Sequence, residues 1–158
     1  MNEMTTTEPH VLIIEATFYP EIADELAAGA IATLNDAGVT YERIKVPGAL
    51  EIPSVVRYAV KSMQLFCGND RFDGFVALGC VIRGDTSHYD HVCDNAIGGL
   101  SRLATEYALA IGNGVLTVEN RAQAMARASV AQGNKGGVAA QACIEMVQLK
   151  SRFGLLRK

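Results

Sequence analysis

The chain has 158 residues, of which 49% are hydrophobic, 20% are charged and only 4 are proline. That composition describes one folded domain, or at most two very small ones, and excludes a disordered or collagen-like chain. The formal net charge of −3 comes without any run of Lys or Arg, which argues against a nucleic-acid or anionic-membrane surface and leaves a local anion site open. No apolar stretch approaches the roughly 18 residues of a membrane span. Residues 1–10 are polar and Thr-rich, without the basic start and apolar middle of a signal peptide. They are expected to form a flexible N-terminal tail ahead of a single domain over residues 11–158. Cys67, Cys80, Cys93 and Cys143 make no CxxC pair, so they read as reduced, mostly buried thiols of a cytoplasmic protein.

The first element is the unbroken apolar run Val11-Leu12-Ile13-Ile14, a pattern that suits a strand covered on both faces. Ile22, Leu26, Ala30, Leu34 and Ala37 then recur at helical spacing. Pro20 stands at the start of that segment and Gly38 just past its end, as helix termini prefer. Residues 41–46 predict a second strand, closed by Pro47-Gly48, and residues 52–63 a helix with Pro53 in its first turn. Gly68-Asn69-Asp70 is loop chemistry. Residues 75–78 predict a third strand that runs on through Gly79 towards Val81-Ile82. A long helix is expected from Thr86 or Ser87, with Val92, Ala96, Leu100, Leu103 and Tyr107 on one face. Gly112-Asn113-Gly114 is expected to break the chain before a fourth strand over 115–118. Helices over 121–131 and 137–152, separated by Gly133-Asn134-Lys135-Gly136, complete the chain.

Strands alternating with helices imply a four-stranded parallel sheet covered on both faces, a small doubly wound α/β domain. Ligands of such sheets bind beyond the carboxyl ends of the strands. Here those ends carry Thr17-Phe18, Pro47-Gly48-Ala49-Leu50-Glu51, the segment from Cys80 to His88, and the turn after Val118.

The segment Gly79-Cys80-Val81-Ile82-Arg83-Gly84-Asp85-Thr86-Ser87-His88 carries most information, because it leads from a strand end into a helix start. Free backbone N–H groups and the positive dipole end suit an anion there. Gly84 is read as relieving a conformation that a Cβ resists. Thr86 and Ser87 are either helix caps or hydroxyl donors to a ligand. An imidazole at His88 can accept and return a proton, although a single His is more often structural than catalytic. His88, Asp90, His91 and Asp94 also invite a metal reading, but they lack the HExxH pattern and any second ligand cluster. Glu51 is either a dipole-complementing carboxylate or an acceptor for hydroxyls and ring N–H groups of a ligand. Arg127 and Lys135 are solvated charges on their own and become phosphate ligands if an anion site lies beside them. Phe18 is placed to stack on a flat ring.

Taken together, four motifs in order resemble the 6,7-dimethyl-8-ribityllumazine synthase family. They are Val46-Pro47-Gly48-Ala49-Leu50-Glu51-Ile52-Pro53, then Ala77-Leu78-Gly79-Cys80-Val81-Ile82-Arg83-Gly84-Asp85-Thr86-Ser87-His88-Tyr89-Asp90, Gly114-Val115-Leu116-Thr117-Val118-Glu119-Asn120 and Gly133-Asn134-Lys135-Gly136. The resemblance runs over residues 11–153. It implies a flavodoxin-like three-layer α/β/α fold and a cytoplasmic transferase of riboflavin biosynthesis. That enzyme condenses 5-amino-6-(D-ribitylamino)uracil with 3,4-dihydroxy-2-butanone 4-phosphate, releases phosphate and water, and uses neither metal nor redox cofactor. By the same resemblance Phe18 stacks on the pyrimidine, and Ala49, Leu50 and Glu51 hold its ring and ribityl chain. Backbone groups of Cys80, Val81 and Ile82 meet the uracil edge, and Asn113 faces the same ring. Asp85, Thr86 and Arg127 bind the butanone phosphate, His88 transfers protons, and Lys135 is an auxiliary cation.

The family assembles as homopentamers, some of them joined into capsids, with sites between neighbouring subunits. The turns after the first three strands are expected to form one wall, with Asn113, Arg127 and Lys135 supplied by a neighbour. Three positions depart from the family pattern. Asn113 stands where many members carry an aromatic residue, Leu50 replaces a common Phe, and Val138 occupies a position that is often acidic. The synthase reading therefore stands beside two others: a non-catalytic flavin- or lumazine-binding module on the same assembly, and metal-dependent hydrolysis by the cluster from His88 to Asp94.

Overall fold

The structure, a computed structural model, describes residues 8–66 and 71–156. Cys67 and the predicted loop at Gly68-Asn69-Asp70 lie outside them. Strand β1 (His10–Ala16) is followed by helix α1 (Pro20–Asp36), strand β2 (Thr40–Val46) and a 3-10 turn (Ala49–Glu51) that leads directly into helix α2 (Ile52–Leu65). Then come β3 (Gly74–Ile82), α3 (His88–Glu106), β4 (Ile111–Val118), α4 (Arg121–Ala128) and α5 (Lys135–Arg152). All pairings are parallel, in the order β2-β1-β3-β4.

The apolar run of β1 divides between two cores because successive side chains of a strand point to opposite faces. Val11 and Ile13 join Ile22 and Leu26 of α1 and Ala139 and Cys143 of α5. Leu12, Ile14 and Ala16 join Ile52 and Val56 of α2 and Val92, Ala96 and Leu100 of α3. The result is the α/β/α sandwich expected from the sequence, with helices on both faces. Glu15, 1% exposed, is the one charged side chain among the buried described residues. It faces Arg43 of β2, whose Nε and Nη2 donate to its two carboxylate oxygens at 2.7 and 2.8 Å. That paired geometry is what makes a buried carboxylate tolerable.

The glycines correct the predicted boundaries. Gly112-Asn113-Gly114 does not break the chain; it lies inside β4, paired with Val76, Ala77 and Leu78 of β3. A Cβ on Gly112 would stand 1.9 Å from the Ala139 carbonyl oxygen, and one on Gly114 would stand 2.8 Å from Leu78 Cδ2. These glycines let a helix and a side chain lie close to the strand, a second reason for glycine in strands beside turns. The Gly133-to-Gly136 spacer likewise ends early, because α5 already starts at Lys135. Asn134 adopts the left-handed conformation (φ 45°), and its side chain caps the Gly137 N–H. Helix α4 stops at Ala128, and the chain folds back so that Gly133 N–H donates to the Ala126 carbonyl at 2.9 Å. Helix α1 ends at Asp36, with Ala37 as its cap, and Gly38 then takes φ +68°, the C-terminal glycine that the sequence signals.

Candidate active site

The order β2-β1-β3-β4 means the chain steps from β1 to one side and returns to the other. The carboxyl ends of β1 and β3 are therefore a switch point, where adjacent turns diverge and leave a crevice. A cavity of about 390 Å³ opens there. Its volume lies within the range that holds small organic ligands.

Each wall follows from local chemistry. After β1, the Thr17 N–H and hydroxyl both bond to the Val46 carbonyl, at 3.0 and 3.3 Å, tying this turn to the end of β2. The next residue, Phe18, is held outward, 70% exposed, with an edge contact to Tyr19 at 4.9 Å between ring centres. A large ring left open at a cavity mouth is a surface for stacking. After β2, Pro47-Gly48 turns the chain and the Glu51 carboxylate accepts the Gly48 N–H at 2.9 Å. This fixes the 3-10 turn with Ala49 buried and Leu50 facing the cavity. Glu51 thus caps its own turn and also lines the cavity.

The third wall is the end of β3 and the turn into α3. Cys80, Val81, Ile82, Gly84, Thr86, His88, Tyr89 and Val92 all line the cavity. Burial pushes the Cys80 thiol up from its ordinary 9.0 to about 11, with Arg121 pulling weakly the other way. Its sulfur is thus a neutral wall atom at physiological pH. The Thr86 hydroxyl accepts the His88 N–H at 3.3 Å, which leaves its own O–H directed by whatever binds beside it. Helix α3 begins at His88, one to two residues beyond the predicted start, with no side-chain cap from Ser87. Gly84 does not take a left-handed conformation, and open space surrounds it. The reason given for this glycine from the sequence is therefore replaced: it keeps the wall low rather than relieving strain.

Nine residues singled out from the sequence meet in this cavity: Phe18, Ala49, Leu50, Glu51, Cys80, Val81, Ile82, Thr86 and His88. Asp85, Asn113, Arg127 and Lys135 are not among its lining residues. Asn113 sits within β4 and uses its side-chain oxygen to accept the Val115 N–H at 2.9 Å. Arg127, exposed at the end of α4, donates to the Gln123 carbonyl at 3.2 Å. Lys135 opens α5 at the same corner, a placement the helix dipole disfavours unless an anion stands nearby. Among the described residues, no group of three His, Cys, Asp or Glu side chains converges as a metal site, so the cluster from His88 to Asp94 does not form one.

Tyr19, Tyr89 and Val92 line the cavity without having been assigned to it from the sequence. The signal for Val92 was available, since it stands four residues beyond His88 and shares its helix face; Tyr89 directly adjoins His88 and carries no such spacing. Tyr19 had none, because a residue in an irregular turn carries no periodicity.

The profile of the 6,7-dimethyl-8-ribityllumazine synthase family matches residues 8–151. The chain is 51% identical over 154 residues to the 6,7-dimethyl-8-ribityllumazine synthase of Bartonella bacilliformis, covering 98% of each chain. It is 49% identical over 147 residues to that of Paramagnetospirillum magneticum, covering 92% of this chain and 97% of the relative. It is also 49% identical over 145 residues to 6,7-dimethyl-8-ribityllumazine synthase 1 of Rhizobium meliloti, covering 92% and 94%. A doubly wound sheet, a cavity at its switch point and matches of this extent lead to one assignment: the chain belongs to the 6,7-dimethyl-8-ribityllumazine synthase family.

Proposed function

We propose that this cavity is where the protein condenses 5-amino-6-(D-ribitylamino)uracil with 3,4-dihydroxy-2-butanone 4-phosphate to 6,7-dimethyl-8-ribityllumazine, phosphate and water. The observation that carries the reading is the convergence of Phe18, residues 49–51, residues 80–82, Thr86 and His88 from three separate turns on one space. Catalysis of this kind asks little covalent chemistry of the protein. It asks that an amine and a ketone be held together, and that protons move as the imine forms and phosphate departs.

In this reading the pyrimidine stacks on Phe18, its polar edge meets the backbone of Cys80, Val81 and Ile82, and its ribityl hydroxyls donate to Glu51. The butanone phosphate lies at the start of α3, where the Thr86 hydroxyl donates to it and the helix dipole favours its charge. Asp85 contributes its backbone there, with its carboxylate turned away from the phosphate. His88, at the wall between the two substrates, takes and returns the protons.

Arg127 and Lys135 complete the phosphate site from a neighbouring copy, and Asn113 faces the ring from the same neighbour. Their absence from the cavity lining within one chain supports that division. The enzyme then works as a homopentamer or a multiple of it. The free thiols of Cys80, Cys93 and Cys143 suit a cytoplasmic compartment. No helix among the described residues is long and apolar enough to cross a membrane.

The test is product formation. Purified protein treated with a chelator and given both substrates is followed optically for lumazine. Turnover that survives chelation supports the synthase; turnover that needs added metal contradicts it. Saturable lumazine binding without turnover would replace it with a binding module.

A further inference from the structure

Every residue from Arg83 to His88 is exposed, and this turn is weakly tied from within. Within it the His88 N–H donates to the Thr86 hydroxyl at 3.3 Å, and a Cβ on Gly84 would meet open space. The Ser87 carbonyl accepts the Asp90 and His91 N–H groups at 3.1 and 3.4 Å, while its side chain caps no N–H. A catalytic group at the end of such a turn needs an external hold, because small displacements of a reacting group slow reactions steeply.

Arg83 reaches in three directions. Its N–H donates to the Val118 carbonyl at 2.9 Å, which extends the β3–β4 ladder by one bond. Its Nε donates to Glu119 Oε2 at 2.8 Å, just past the end of β4, and its Nη1 lies 3.5 Å from Asp90 Oδ1 in the first turn of α3. Its guanidinium also lies 4.2 Å from the ring centre of Tyr89. Tyr89 and Asp90 directly follow His88. We infer that Arg83 is a positioning residue: it braces the first turn of α3 against the end of β4 and so holds His88 at the cavity wall. The inference rests on the reading of His88 as the proton-transfer residue.

The planar fork matters more than the charge. A guanidinium can bond to Glu119, approach Asp90 and cover a ring at once, whereas an ammonium offers one compact charge. Since Arg83 and both of its charged partners are largely exposed, the brace adds little to stability. Its loss should therefore show in rate rather than in melting.

A double-mutant cycle tests this with both substrates. Arg83→Ala is expected to lower kcat about tenfold, the scale of a modest misplacement of the reacting group. KM for each substrate should stay within about twofold, and assembly and thermal midpoint should hold, as for loss of an exposed ion pair. Arg83→Lys should recover only part of the rate. In a His88→Ala background the same Arg83→Ala change should leave kcat within about twofold, because the residue it positions is gone. Full kcat in Arg83→Ala overturns the inference. So does an undiminished tenfold loss in the His88→Ala background, or a raised KM for the butanone phosphate with kcat intact. Wild-type kcat in His88→Ala alone would instead bring down the reading of His88, a result the single variant identifies by itself.

Discussion

His88 opens α3 at the cavity wall, within one turn of the Thr86 hydroxyl that accepts its N–H. One general acid–base contributes about 10²–10⁴-fold. His88→Ala should accordingly fold normally by circular dichroism and slow turnover at saturating substrate by about 10²-fold, the low end, since proximity alone carries part of this reaction. Substrate affinities should hardly change. Cys80 supports a different expectation. Its thiol is raised from 9.0 to about 11 by burial, so alkylation at pH 8, followed by mass spectrometry, should run about a hundredfold slower than for an ordinary thiol. The sign also sets a stability window. Below pH 9 the folded and unfolded thiols are both protonated and the contribution is complete. As pH rises towards about 11 the unfolded chain releases its proton first, and stability falls. Urea midpoints over that window should decline less steeply in Cys80→Ala.

Elements were more legible than their edges. The unbroken run at Val11 marked a strand covered on both faces, and spacing from Ile22 to Leu34 marked α1, because burial imposes a period on side chains. Gly112 and Gly114 misled for a physical reason. A glycine that permits a turn and one that admits a helix backbone look identical in sequence, and only the Ala139 carbonyl 1.9 Å from a Gly112 Cβ separates them. Gly112→Ala should thus force α5 away from β4 and destabilise by about 3 kcal/mol, the upper end for overpacking. Gly84→Ala, with open space around it, should leave the urea midpoint unchanged. Equal effects of the two substitutions would show that close approach is not what Gly112 serves. The site divides along the same line. That Phe18, residues 49–51, residues 80–82, Thr86 and His88 meet at one cavity was readable because strand ends converge in any doubly wound sheet. Arg83 was not, because its partners Glu119 and Asp90 are remote or unremarkable in sequence and meet it only across the end of the sheet.

At the scale of the whole molecule, the cavity is lined by Phe18, residues 49–51, residues 80–82, Thr86 and His88 but by neither Arg127 nor Lys135. A phosphate carries about −1.5 to −2 charges near pH 7 and gains most from a guanidinium's paired donors. Arg127→Ala should then raise KM for the butanone phosphate about ten- to a hundredfold, the value of a charged hydrogen bond, with pyrimidine affinity unchanged. The proposed sharing of sites between copies has its own consequence. Mixed oligomers of His88→Ala and Arg127→Ala subunits should regain wild-type kinetics at roughly a quarter of their sites, where an intact cavity meets an intact neighbour. If both residues served a site from the same chain, no mixture would recover activity.

The most direct measurement is a structure of the assembled protein with a non-reacting analogue of the pyrimidine and inorganic phosphate bound. The ring should lie on Phe18 with its polar edge along residues 80–82, and the phosphate should sit between Thr86 and a guanidinium from the adjoining copy's α4. His88 should stand between the two ligands. A ring bound away from Phe18, or a phosphate held by Arg127 of the same chain as Thr86, would contradict the account.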